Sequence, residues 1–199
     1  ATLAYVANWY AIASDSGYWN RALAPSWLEH TWSLAIEEQF YVAWPLVVVG
    51  LFAWTARRAG RSGTVPPDPG VVDRGIRRLG LVCGFGALAS AGLMIGWSLA
   101  GGSTERLYLG TDTRAAAILL GAAVACWQRR RSTAPSWAPR ARGVLAGGSM
   151  VAALVLVAAW LHLDGAGTLL YRGGLFACGL AAAVIVLDVT TPGGSVVGR

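Results

Sequence analysis

The chain has 199 residues, of which 55% are hydrophobic and only 13% charged, and its mean hydropathy is +0.52. Soluble domains carry about 25% charged residues, so the polar surface needed to cover a water-soluble globule is missing and the composition points to a chain whose solvent is lipid. The net charge of +6 comes from sixteen arginines and no lysine, gathered in short stretches between apolar runs rather than in a basic, aromatic-interleaved module, which excludes nucleic acid as a partner.

In chain order, Ala1 to Ala13 is an apolar stretch too short to span a bilayer and without the basic start of a signal peptide; it reads as the end of a helix whose beginning is absent. Ser14 to Thr31 reads as a polar, Trp-containing loop. Five complete spans are predicted after it: about Leu34–Trp54, Leu79–Ala100, Thr113–Trp127, Gly143–Leu163 and Leu170–Leu187. The stretch from Arg57 to Arg78 holds three prolines and four glycines and reads as a flexible connector. Gly101–Leu109 reads as a short outer loop, Gln128–Arg142 as a second basic loop, and Asp188–Arg199 as a tail stopping mid-loop.

Alternating spans put residues 57–78, 128–142 and the 188–199 tail on one side. That side holds twelve of the sixteen arginines, leaving Arg21, Arg106, Arg114 and Arg172 on the other. Basic loops are retained in the cytoplasm, so 57–78 and 128–142 are expected there. The fold class expected is all-α: a polytopic transmembrane bundle of about five complete spans plus one partial N-terminal span. Small residues in the spans suit close packing of helices in lipid. Cys83, Cys126 and Cys178 lie in or at the ends of apolar runs and read as buried hydrophobes. No metal site is expected, because neither the cysteines nor His30 and His162 show ligand spacing.

The chemistry concentrates in His30–Pro45, HTWSLAIEEQFYVAWP. Each charge buried at membrane depth costs about 2.5–3.5 kcal/mol on insertion scales, so Glu37 and Glu38 must face protein or water rather than lipid. At 100° per residue His30, Ser33, Glu37 and Tyr41 share one face, a stripe of imidazole, hydroxyl, carboxylate and phenol. Pro45 then removes a backbone hydrogen bond and is expected to kink the helix. A structural role at the outer interface remains open for the two carboxylates, as does a capping role for His30.

The run from His30 to Leu46 resembles the signature of the acyltransferase-3 family, multi-span enzymes that include O-antigen and other polysaccharide O-acetylases. Tyr5–Tyr10 (YVANWY), Gly110–Leu120 (GTDTRAAAILL) and Tyr171–Leu175 (YRGGL) agree with it in order, extending the resemblance over nearly the whole chain. The resemblance implies transfer of an acyl group, acetyl by family habit, from cytoplasmic acyl-coenzyme A to a hydroxyl of an extracytoplasmic glycan, in a bacterial plasma membrane. The partners implied are membrane lipid, the glycan and acyl-coenzyme A as a donor substrate, with no resident cofactor.

Trp32, Leu34 and Glu37 match the family's W-x-L-x-x-E element, and Glu37 and Glu38 are the catalytic candidates. His30, Trp32, Ser33, Tyr41, Asp112, Arg114 and Arg172 are the substrate-binding candidates, although Asp112 and Arg114 equally read as a helix-start acid and a snorkelling arginine. One departure matters: the family carries its catalytic histidine in an R-x10-H element, and no arginine stands eleven positions before His30 or His162. Residues 1–199 are thus expected to be an internal fragment of a single acyltransferase domain, inactive alone. The alternative is a non-catalytic transporter or flippase-like subunit, since intramembrane carboxylates also mark transport paths; internal repeats, which that reading requires, are not visible. A pure scaffold leaves the paired carboxylates without a purpose.

Overall fold

The computed structural model describes residues 5–13, 31–60, 68–131, 139–164 and 167–191. Among them the regular structure is entirely helical: α1 (Ala7–Ala13), α2 (Thr31–Arg58), α3 (Pro69–Leu99), α4 (Thr104–Leu109), α5 (Thr111–Arg131), α6 (Pro139–His162), a π-helical turn (Leu170–Gly174) and α7 (Leu175–Thr190). Five units are long and apolar enough to cross a membrane: α2, α3, α4 with α5, α6, and the π-turn with α7. The expected five-span helical bundle is what forms. Its spans expose many large apolar side chains, among them Val42, Leu46, Phe85, Leu154 and Trp160, as elements bathed in lipid do.

The boundaries differ from the sequence expectation in three places. The connector 57–78 is shorter: α2 runs on to Arg58, and α3 begins at Pro69, so Arg74, Arg77 and Arg78 stand on a helix. The cause is a start signal. Asp68 accepts a hydrogen bond from Gly70 N at 3.1 Å, Pro69 occupies the first helical position, and Val71 and Gly75 bury the inner face. The second basic loop narrows likewise, because α5 extends to Arg131 and α6 starts at Pro139. Finally, the outer segment 101–109 contains α4, opened by Ser103, whose hydroxyl accepts from Arg106 N. Helix α2 continues through Pro45.

Helix α3 packs most extensively against α5, α6 packs on α7, and α5 and α2 join these pairs. The deepest cluster joins Met94 of α3, Leu107 of α4 and Tyr171 of the π-turn, with Tyr171 only 1% exposed. The π-turn makes this possible. Arg172 leaves helical geometry and Gly173 takes φ 124°, a conformation that glycine reaches without a Cβ penalty.

Candidate functional site

Three polar side chains meet where α1, α2, α4 and α5 converge. Asn8 is fully buried; its Nδ2 donates to the Leu109 carbonyl at 3.0 Å and to Thr111 Oγ1 at 2.9 Å. Gln39 Nε2 donates to Asn8 Oδ1 at 3.0 Å and to the Tyr5 carbonyl at 2.6 Å, while Thr111 Oγ1 donates to Gln39 Oε1 at 2.7 Å. The ring closes, and both amide groups are fully used as donors. Tyr5 adopts a left-handed φ of 54° to present its carbonyl. Three segments that carry the family resemblance, YVANWY, EEQFY and GTDTR, thus contribute one residue each to a single hydrogen-bonded ring.

The start of α5 is held from two further directions. Arg106 of α4 forms a two-bond fork with Asp112, Nη1–Oδ1 at 2.9 Å and Nη2–Oδ2 at 2.7 Å, and its guanidinium lies 5.0 Å from the ring of Trp9 and 5.2 Å from that of Trp97. Ser90 of α3 donates to the Asp112 carbonyl at 2.5 Å and accepts from Ala116 N at 3.1 Å. Thr113 turns its hydroxyl back onto the carbonyls of Leu107 and Gly110. Gly110 is small of necessity, because a Cβ there would lie 1.9 Å from Arg106 Nη1 and 2.8 Å from the Arg106 carbonyl.

With α2 and α5 fixed in this way, a cavity of about 290 Å³ opens between them. Trp32, Ser33, Ile36 and Glu37 line it from α2, Thr113 and Arg114 from α5, and Met94, Leu175 and Phe176 close its apolar side. The spacing 32, 33, 36, 37 is one helical face. The Arg114 guanidinium rests 4.8 Å from the Tyr108 ring and 5.8 Å from that of Trp32, and these two rings are themselves 4.7 Å apart. Glu37 and Arg114 share the cavity wall, yet among the described residues no ion pair joins them. A cavity with an acid, a base, a hydroxyl and an apolar back wall can hold a polar group while placing an acceptor and a donor against it.

Of the candidates from sequence, the structure brings Trp32, Ser33, Glu37 and Arg114 together. Glu38 is half-buried beside the cavity and does not line it. Tyr41 is 60% exposed, one turn farther along α2, about 6 Å beyond Glu37. Asp112 spends both carboxylate oxygens on Arg106, and Arg172 is exposed on the π-turn. His30 lies outside the described residues. Sequence reasoning assigned no role to Asn8, Gln39, Arg106, Tyr108 or Thr111. For Asn8 and Gln39 a signal existed: polar amides inside apolar, lipid-embedded stretches need partners. Among the described residues no group of three or more His, Cys, Asp and Glu side chains could hold a metal.

The chain is similar to bacterial O-acetyltransferases. It is 31% identical over 194 residues to the "Putative peptidoglycan O-acetyltransferase YrhL" of Bacillus subtilis, and 29% identical over 193 residues to the peptidoglycan O-acetyltransferase OatA of Listeria monocytogenes. Each alignment covers 96% of this chain and 28% of the relative, so the chain spans a little over a quarter of their length. No family model matches the chain, and no solved structure matches it. The resemblance to membrane-bound O-acetylases read from the EEQFY segment is borne out by these relatives.

Proposed function

We propose that a chain sharing its sequence with O-acetyltransferases along nearly its whole length supplies the acceptor-side wall of a membrane acyltransferase, which transfers an acetyl group to a hydroxyl of a cell-surface glycan. The observation that carries this reading is the cavity between α2 and α5, where Glu37, Ser33 and Arg114 converge against Trp32 and Tyr108. An unpaired acid and base at one membrane-embedded site are costly unless a ligand completes them.

In this reading acyl-coenzyme A is the donor. The glycan hydroxyl oxygen bonds to the acyl carbon, the thioester C–S bond breaks, and a base takes the hydroxyl proton and passes it to the departing sulfur, so that coenzyme A leaves as the thiol. Glu37 accepts a hydrogen bond from the acceptor hydroxyl and orients it. Arg114 faces the charge that gathers on the acyl oxygen, and Trp32 offers its face to the sugar. The family's R-x10-H histidine, which residues 1–199 do not contain, is the base the resemblance implies; its ordinary pKa suits proton transfer near neutrality. The basic ends of α2, α3 and α5 face the cytoplasm, and the cavity faces the outer side of a bacterial plasma membrane.

The test uses cells making the protein with and without Arg114→Gln at matched membrane levels, with alkali-released acetate from purified wall glycan as the readout. Loss of acetate in the variant supports the reading. Unchanged acetate removes Arg114 from the site, and no acetate from the wild type removes the activity.

A further inference from the structure

At the opposite end of α2, Thr55 stands 18 residues beyond Glu37, about 27 Å along the helix. A second polar cavity of about 340 Å³ lies there, lined by Thr55, Arg58, Ala59, Arg74 and Arg78. Three guanidiniums from two helices face one space. Two of them are held in place by Trp54, with Arg58 4.8 Å and Arg78 4.4 Å from its ring. Arg78 Nη1 also donates to Thr55 Oγ1 at 3.1 Å, and that hydroxyl, buried to 1% exposure, donates in turn to the Leu51 carbonyl at 2.7 Å.

Two acids stand nearby, Asp68 just ahead of α3 and Asp73 on it, and neither lines the cavity. Asp68 accepts from Gly70 N at the start of the helix, and Asp73 pairs with Arg130 at 3.1 Å. Among the described residues no carboxylate pairs with Arg58, Arg74 or Arg78, and none lines the cavity. Positive charge near a membrane surface needs no such arrangement to orient a protein; scattered, solvated arginines suffice. Here the donors are ordered beforehand by an indole and a buried hydroxyl and aimed at one volume, which is how proteins recognise phosphate oxygens. Preorganised donors lose little freedom on binding.

We propose that the Thr55–Arg58–Arg74–Arg78 cavity is a binding site for a phosphate group. The same chemistry is offered by a soluble phosphate ester or anhydride and by the headgroup of an anionic membrane lipid, and the site shares no lining residue with the Glu37 cavity.

The purified, detergent-solubilised protein is titrated with inorganic pyrophosphate by calorimetry. In parallel it is exchanged into nanodiscs of mixed phosphatidylcholine and phosphatidylglycerol, and the co-purifying lipid is measured. Arg74→Gln is the main variant, since among the described residues Arg74 makes no hydrogen bond or ion pair, and Arg77→Gln is the control: Arg77 carries the same charge one turn away and lines a different cavity. Pyrophosphate binding weakened at least tenfold by Arg74→Gln and unchanged by Arg77→Gln establishes a soluble phosphate as ligand. Absent pyrophosphate binding, but phosphatidylglycerol enrichment lost in Arg74→Gln alone, assigns the site to a lipid headgroup. Equal effects of the two variants, or no binding of either probe, overturn the proposal.

Discussion

Gln39 Nε2 and Asn8 Oδ1 lie 3.0 Å apart, joining the short helix α1 to α2 two residues beyond Glu37. Together with Thr111 this bond sets the rotation of α2 against α5. Gln39→Ala leaves the Asn8 carbonyl oxygen and the Thr111 hydroxyl without this partner in a region where water does not replace it. A cost of about 1–3 kcal/mol is expected. At roughly 2–4 °C per kcal/mol for a chain of this size, thermal unfolding in detergent should show a clear drop in midpoint. A midpoint equal to wild type would mean that the ring does not hold the helices.

Gly110 and Gly84 make a pair with opposite expected signs. A Cβ at Gly110 collides with Arg106 and breaks its fork with Asp112, whereas a Cβ at Gly84 meets nothing within 4 Å. Gly110→Ala should therefore destabilise, and Gly84→Ala, inside α3, should be neutral or stabilise by up to about 1 kcal/mol through helix propensity. Unfolding midpoints of the two variants decide it, and equal shifts would refute the close approach at Gly110.

Gly173 has φ 124° inside the YRGGL segment and lets Tyr171 enter the cluster with Met94 and Leu107. Gly173→Ala should cost about 1–3 kcal/mol of backbone strain. Arg172→Ala, at an exposed neighbour, should stay within about 0.5 kcal/mol. Similar losses for both would place the effect outside the backbone.

The orientation can be read with a membrane-impermeant maleimide on intact cells, in a background lacking Cys83, Cys126 and Cys178. Ala100→Cys, at the end of α3, should label, and Arg57→Cys, at the end of α2, should label only after the membrane is opened. The reverse pattern would invert the bundle.

Five spans and their order were legible in the sequence because an apolar run of about 20 residues has few alternatives to a membrane helix. The start of α3 was not, because Pro66, Pro67, Pro69 and Gly70 read as breakers, although Asp68 followed by Pro69 is also a helix-start signal. Four of the candidate residues line one cavity: helical spacing puts Ser33 and Glu37 on one face, in a stripe with His30 and Tyr41, whereas Trp32 and Arg114 lie in segments that carry the resemblance. The ring of Asn8, Gln39 and Thr111 was hidden, because its members are 31 to 103 residues apart and no periodicity links them. Asp112 was legible as a candidate, but its fork with Arg106 depends on α4, a six-residue helix that the sequence presents as a loop.

The most direct measurement compares Glu37→Gln with Glu38→Gln, adjacent isosteric changes of which only the first alters the cavity wall. The account predicts that wall-glycan O-acetylation in cells, normalised to membrane-inserted protein, falls about 100-fold or more in Glu37→Gln, the scale of losing one group that binds the reacting centre, and only a few-fold in Glu38→Gln. Equal activity in the two variants, or a larger loss in Glu38→Gln, would contradict the placement of the reaction in the α2–α5 cavity.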